Sequence, residues 1–154
     1  MSLTTYEGLK SSLANWLNRT DLTSEIPDFI ALAEDRLSQE VRIPTIEKTI
    51  SITLDSNGAF DIPADFLELK YAFYNNNPLQ RVSLNELRDF ASTSGSPEIF
   101  AREARKFIFQ PIPTMTTTDK LNLIYYKNVP VLSALNPTNE LLEMAPQLYL
   151  YSSL

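Results

Sequence analysis

Histidine and cysteine are both absent from the 154 residues, and glycine occurs only 3 times. Without histidine, no side chain has an unperturbed pKa near neutrality, and a serine has no ready base to activate it. Without cysteine there is no disulfide, no thiolate nucleophile and no cysteine-type zinc site. So few glycines exclude a glycine-rich phosphate cradle. Basic clusters are missing as well. Lys and Arg number 13 against 19 Asp and Glu, a formal net charge of -6, and the densest basic group (Arg102, Arg105, Lys106) is interrupted by Glu103. An acidic chain of this kind repels phosphate backbones, so sequence-specific binding of nucleic acid is not expected. No segment approaches the ~20 apolar residues that span a bilayer, and the opening Met1-Ser2-Leu3-Thr4-Thr5-Tyr6-Glu7 has no basic start and no apolar stretch. A soluble chain made in the cytoplasm, without membrane partner or cofactor, is expected. Asn18-Arg19-Thr20 fits the glycosylation pattern, and without a leader it reads as chance.

What is present is a core. Hydrophobic residues make up 44% of the chain, enough for one domain of this length and too little chain for two comfortable ones. Thr4 and Glu7 form a capping-box pattern ahead of Tyr6, Leu9, Leu13, Trp16 and Leu17, which recur at helical spacing and predict a helix over about 4–18. Asn18 to Thr23 is polar and turn-like. Pro27 suits a first turn, and Ile26, Ile30, Ala33, Leu37 and Val41 predict a second helix over about 26–42, stopped by Pro44. Two such helices joined by a short linker are expected to pack as a hairpin.

From Thr45 the period changes to two. Ile50, Ile52 and Leu54 alternate with Ser51 and Thr53; Asp55-Ser56-Asn57-Gly58 supplies a hairpin turn, and Ala59 to Ile62 returns. Leu67, Leu69, Tyr71 and Phe73 alternate on a third strand that ends at Asn75-Asn76-Asn77-Pro78, with Leu79 to Val82 a short return. Ser83 and Glu86 form a capping box for a short helix to about Ala91. Beyond the polar loop Ser92–Pro97, Ile99-Phe100-Ala101 and Phe107-Ile108-Phe109 read as a hairpin closed by Gln110-Pro111-Ile112-Pro113. The threonine-rich turn Thr114–Asp119 leads to an alternating strand at Leu121, Leu123 and Tyr125. Pro146 opens a last helix over about 146–154 with Leu148, Tyr151 and Leu154 facing inward. That helix is about two turns long with an apolar last residue, which suggests that the natural chain continues past Leu154. The order predicts an α+β fold, with a β-rich insertion over about 45–128.

Few constellations carry chemistry. Asp55-Ser56-Asn57-Gly58 resembles part of a calcium loop, but Phe66 stands where the bidentate Glu belongs, so a turn is the better reading. Asp61, Asp65 and Glu68 crowd one corner, as acid–base or magnesium chemistry would require; turn-forming and capping roles explain them more simply. Serines such as Ser83, Ser92, Ser94 and Ser96 lack an activating base. Tyr71, Phe73, Tyr74, Tyr125 and Tyr126 offer stacking faces without a basic groove, so core packing or a subunit interface is expected of them.

The order of segments resembles the head-to-tail connector (adaptor, or head-completion) proteins of tailed bacteriophages. Tyr6-Glu7-Gly8-Leu9-Lys10 through Asn15-Trp16-Leu17-Asn18-Arg19, then Ile26-Pro27-Asp28-Phe29-Ile30-Ala31-Leu32-Ala33-Glu34, carry the likeness first. Ile62-Pro63-Ala64-Asp65-Phe66-Leu67-Glu68-Leu69, Phe109-Gln110-Pro111-Ile112-Pro113 and Ala145-Pro146-Gln147-Leu148-Tyr149-Leu150-Tyr151 continue it in order. The resemblance implies a single adaptor domain over 1–154, in which an N-terminal helical hairpin and a C-terminal helix form a small bundle around an inserted antiparallel β module. It implies no catalysis. It implies a homo-oligomeric ring, a dodecamer in the virion, that binds the portal protein in the neck, extends the DNA channel and gives a tail or nozzle protein its docking surface. DNA would pass without sequence-specific binding, and an acidic wall suits such a channel. Members usually carry a longer C-terminal helix, which again suggests a natural chain beyond Leu154. Candidate interface residues are Glu34, Asp35, Arg36, Glu40 and Arg42 on the second helix, with Tyr149 and Tyr151 on the last. Rival readings are another phage neck or tail component, a metal-dependent hydrolase using Asp61, Asp65 and Glu68, and a monomeric interaction domain.

Overall fold

A computed structural model describes residues 3–19, 21–90, 94–114 and 119–154, so the inner residues of the threonine-rich turn and the start of the Ser92 loop lie outside the described residues. The described chain is mixed α+β, with five α-helices and two four-stranded sheets. It divides into two compact units: a helical unit from 1–46 and 128–154, and a β unit from 47–127.

In the helical unit, α1 (Tyr6–Leu17) is capped by Thr5, whose hydroxyl accepts from the Gly8 amide at 3.2 Å. The expected cap at Thr4 is therefore corrected by one residue. Tandem threonines offer either register, and the one adopted leaves Leu9 and Leu13 fully buried. Asn18 ends the helix in the left-handed region, with φ 48°. α2 (Ile26–Glu40) buries Ile26, Ile30, Ala33 and Leu37 as their spacing requires. It stops two residues earlier than the expected end at 42. Pro44 has no N–H to give the Glu40 carbonyl and its ring would strike it, so Val41 turns extended, with ψ 123°. A short 3₁₀ turn, Pro44–Ile46, follows.

The far end of the chain contributes α4 (Glu140–Met144) and α5 (Pro146–Ser152), separated by Ala145. Leu9, Leu13, Ile26, Ile30, Leu37, Leu132, Leu141, Leu142, Tyr149 and Leu150 form one core. Two expectations fail here. On α5, Tyr149 and Leu150 are buried, while Leu148, Tyr151 and Leu154 are exposed. The i, i+3 spacing fits two phases of so short a helix, and the phenol of Tyr149 finds partners inside that decide between them. Trp16 was expected on the buried stripe and is 59% exposed. It lies about two turns beyond Leu9, where its ring meets the edge of Tyr151 at 5.9 Å.

The β unit contains β1 (Glu47–Ile52), β2 (Ala59–Asp61), β3 (Phe66–Tyr74), β4 (Asn77–Pro78), β5 (Gln80–Arg81), α3 (Leu84–Asp89), β6 (Ile99–Glu103), β7 (Lys106–Gln110) and β8 (Leu121–Lys127). The sheets run β1-β8-β3-β4 and β2-β7-β6-β5. Phe100, Phe107, Phe109, Leu121, Leu123, Ala72 and Tyr74 fill the space between them. α3, closed by the expected Ser83–Glu86 capping box, covers the other face of the second sheet with Leu87 against Ile99 and Ala101.

The Asp55–Gly58 turn forms, but not as a hairpin. Asp55 accepts from the amides of Asn57 at 2.8 Å and Ala59 at 2.9 Å, and Gly58 takes φ +73°. The turn then passes the chain from β1 in one sheet to β2 in the other. The chain does turn back after β3, but earlier than the expected return at Leu79–Val82: Asn75 and Asn76 both have positive φ, as a two-residue turn between antiparallel strands requires. Asn77–Pro78 therefore pairs with β3, while Gln80–Arg81 crosses to the second sheet and runs parallel to β6. Register shifts on β3 between Phe66 and Glu68, and between Leu69 and Tyr71, reverse its alternation. Tyr71 consequently faces out and Ala72 in. The 99–110 hairpin is formed as its sequence predicts.

Candidate functional site

The three acids of the candidate corner separate when the chain folds. Asp65, in the turn before β3, is bound through both oxygens: Tyr125 Oη donates to Oδ1 at 2.8 Å and Lys48 Nζ to Oδ2 at 2.7 Å. The lysine first, and then the phenol, hold its carboxyl below the usual carboxylate range against the opposing cost of burial. Asp61 pairs across β2 and β7 with Lys106 at 3.6 Å. Glu68 stands opposite Tyr126, in the β8 phase opposite to that of Tyr125, so the pleat directs it to the other face of the sheet from Asp65. An ionised carboxylate with both oxygens occupied is a poor proton donor and a poor metal ligand. Among the described residues no three His, Cys, Asp or Glu side chains group to hold a metal ion.

Two members of the densest basic group are engaged within the fold. Arg102 lies over the ring of Phe66, 5.8 Å from its centroid, and Lys106 is committed to Asp61.

The candidate interface residues divide into two kinds. Asp35, Arg36 and Glu40 lie on the exposed side of α2, with Arg36 Nε donating to Glu40 at 3.2 Å. Tyr151 is 64% exposed against Trp16. Arg42 turns back, donating to the carbonyls of Ser38 at 2.9 Å and Val41 at 3.0 Å, and so closes the end of α2. Glu34 and Tyr149 point inward. Glu34 accepts from the Leu132 amide at 2.8 Å and from Tyr149 Oη at 3.5 Å; burial nonetheless pushes its carboxyl above the usual range. Burial likewise raises the Tyr149 phenol to about 12.

Asn139 completes this network, and sequence reading missed it. Its Nδ2 donates to Tyr149 Oη at 2.8 Å and to the Pro130 carbonyl at 2.9 Å, while its Oδ1 caps α4 at the Leu142 amide. An Asn directly before Glu140-Leu141-Leu142 is a helix-start signal, and it marked both the cap and the missed helix.

Among the described residues Asp65 is committed to Tyr125 and Lys48, and Asp61 to Lys106, while charged side chains on α2 and aromatic ones on α1 and α5 stay exposed, which suits a structural assembly role. Comparison with protein families agrees: the family model described as SU10 adaptor protein matches residues 4–154. The chain belongs to this family of structural bacteriophage adaptor proteins, a virion class of head–tail connectors. No curated protein matches it. No described helix is long and apolar enough to cross a membrane.

Proposed function

We propose that the chain acts as a head-to-tail adaptor by assembly alone: copies form a ring, dodecameric in the virion, on the portal protein in the neck. The ring extends the DNA channel and offers the docking surface for a tail or nozzle protein. The observation that carries this reading is the family match over residues 4–154. The satisfied Asp65 and the separated Asp61 and Glu68 support a role without catalysis or cofactor.

In this reading α1, α2 and α5 act as a small bundle, with α1 and α2 as its hairpin, and Asp35, Arg36, Glu40, Arg42 and Tyr151 meet neighbouring subunits. Glu34 and Tyr149 serve the interface indirectly, by holding the 130–132 segment and α5 in place. The chain is made in the host cytoplasm. Its acidity lets DNA pass without sticking. Native mass spectrometry of the chain mixed with isolated portal rings tests the proposal. A discrete portal complex carrying a fixed multiple of the 17.5 kDa chain is expected; portal rings that remain bare at high adaptor concentration would contradict it.

A further inference from the structure

Among the described residues, two apolar surfaces are exposed, one on each unit. In the β unit, cross-strand register puts Thr49, Ile124 and Tyr71 in one row, and Ser51, Asn122 and Phe73 in the next, on the face of the first sheet opposite to its core. Tyr126 extends the patch, and Tyr71 is 54% exposed. Thr49, Phe73, Asn76, Asn122 and Ile124 bound an open depression of ≈ 300 Å³. In the helical unit, Trp16 and Tyr151 stand edge to face, with Leu148 one turn earlier on α5 also exposed.

We infer that these surfaces are the two halves of one contact between successive copies, with the Trp16–Tyr151 knob of one chain seated on the Tyr71–Phe73 face of the next. The inference rests on the ring reading above and adds which surfaces make the ring. A head-to-tail ring needs two unlike, complementary faces on every copy, whereas a two-fold dimer needs one self-complementary face. The shapes suit each other. One side is a pair of aromatic rings already held against each other, so little ordering is left to be done on contact. The other is a shallow sheet face lined by apolar and small polar groups.

Charge favours the same pairing, and the exposed rings give it a centre. Trp16, Tyr151 and Tyr71 are 59%, 64% and 54% exposed, so each has only about half of the roughly 150–250 Å² of an aromatic side chain left to bury, and flanking residues supply the rest of the roughly 800 Å² per partner of a standard interface. The helical unit carries 4 Lys and Arg against 9 Asp and Glu, and the β unit 9 against 10. Contact between two helical units opposes net charges of -5 and -5, while helical against β opposes -5 and -1. At equal separation the repulsion falls to about one fifth. Lys70, at the rim of the sheet face, is tied to Glu47 and lies over the rings of Tyr71 and Tyr126, so this pair adds no net charge to the rim.

The absence of cysteine makes the test clean. Copies carrying Tyr151→Cys and copies carrying Tyr71→Cys are mixed with portal rings and treated with a short bis-maleimide, with Ser56→Cys as an exposed control. The mixed pair is expected to give cross-linked dimers, and neither variant alone nor the control pair should do so. In parallel, Trp16→Lys and Tyr71→Lys should each weaken assembly about tenfold or more. An equimolar mixture of the two should form 1:1 dimers through the one intact contact, and no rings. Both lysines replace exposed rings, and unchanged melting temperatures show that the variants fold. Rings that form on the portal without the mixed cross-link overturn the surface assignment and leave the ring reading standing. Cross-links within the Tyr151→Cys copies alone, or from either face to the portal protein, overturn it equally. Failure of the unmodified chain to assemble on the portal removes the ring reading, and this inference with it.

Discussion

Tyr125 and Asp65, 60 residues apart in the chain, are joined by a hydrogen bond of 2.8 Å. The phenol comes from the buried central strand β8, and the carboxylate from the turn that launches β3. Lys48 on the opposite edge strand supplies the charge that keeps the carboxylate ionised. An acid that looks available for chemistry in the sequence is a fastening of the β unit in the fold.

This fastening has an acid limit. Because the folded Asp65 pKa lies below its ordinary value of 3.8, its contribution is present above that value and is lost as pH falls through the depressed one. Asp65→Asn should therefore lower stability at pH 7 and flatten the acid limb of the stability–pH curve, as measured by urea unfolding from pH 2 to 7.

Glu34 should show the opposite sign. Its folded pKa is raised above 4.5, so stability falls as pH rises from 4.5 through the raised value and then levels off. Glu34→Gln keeps an acceptor for the Leu132 amide and should remove that decline. The same titrations check it.

Asn139→Ala deletes a helix cap and leaves the Pro130 carbonyl and the Tyr149 hydroxyl short of a donor. A loss of about 2–3 kcal/mol is expected, read from denaturant midpoints at unchanged slope.

Gly58→Ala should destabilise by more than ~1 kcal/mol. A Cβ there meets the Phe109 carbonyl oxygen at 2.9 Å and Ile112 Cγ1 at 3.0 Å, in a backbone with φ +73°. The melting temperature should fall accordingly, whereas Ser56→Ala beside it should have little effect.

Arg36→Ala breaks an exposed i, i+4 pair with Glu40 and should change stability by less than about 0.5 kcal/mol. A larger loss in portal-dependent assembly than in folding would place this row of α2 at a subunit contact.

What was legible in the sequence was local. The Ser83–Glu86 box, the 99–110 hairpin and the alternation of Leu121, Leu123 and Tyr125 each need only neighbours a few residues away, and each is found. Pairings at long range were not legible: nothing in Glu47–Ile52 says that its partner is Leu121–Lys127 rather than the strand that follows it. Phase was lost where one residue suffices to shift it, at the bulges of β3 and on the short α5. The candidate site divided along the same line. The exposure of Arg36 and Glu40 follows from helix periodicity, while the inward turn of Glu34 depends on Leu132, 98 residues away.

The central claim is a ring on the portal. Electron microscopy of the chain mixed with isolated portal particles tests it most directly. Added ring density is expected beneath each portal, coaxial with its channel and built from this chain. Portal particles left without added density, beside a chain that remains monomeric at every ratio tried, would contradict it.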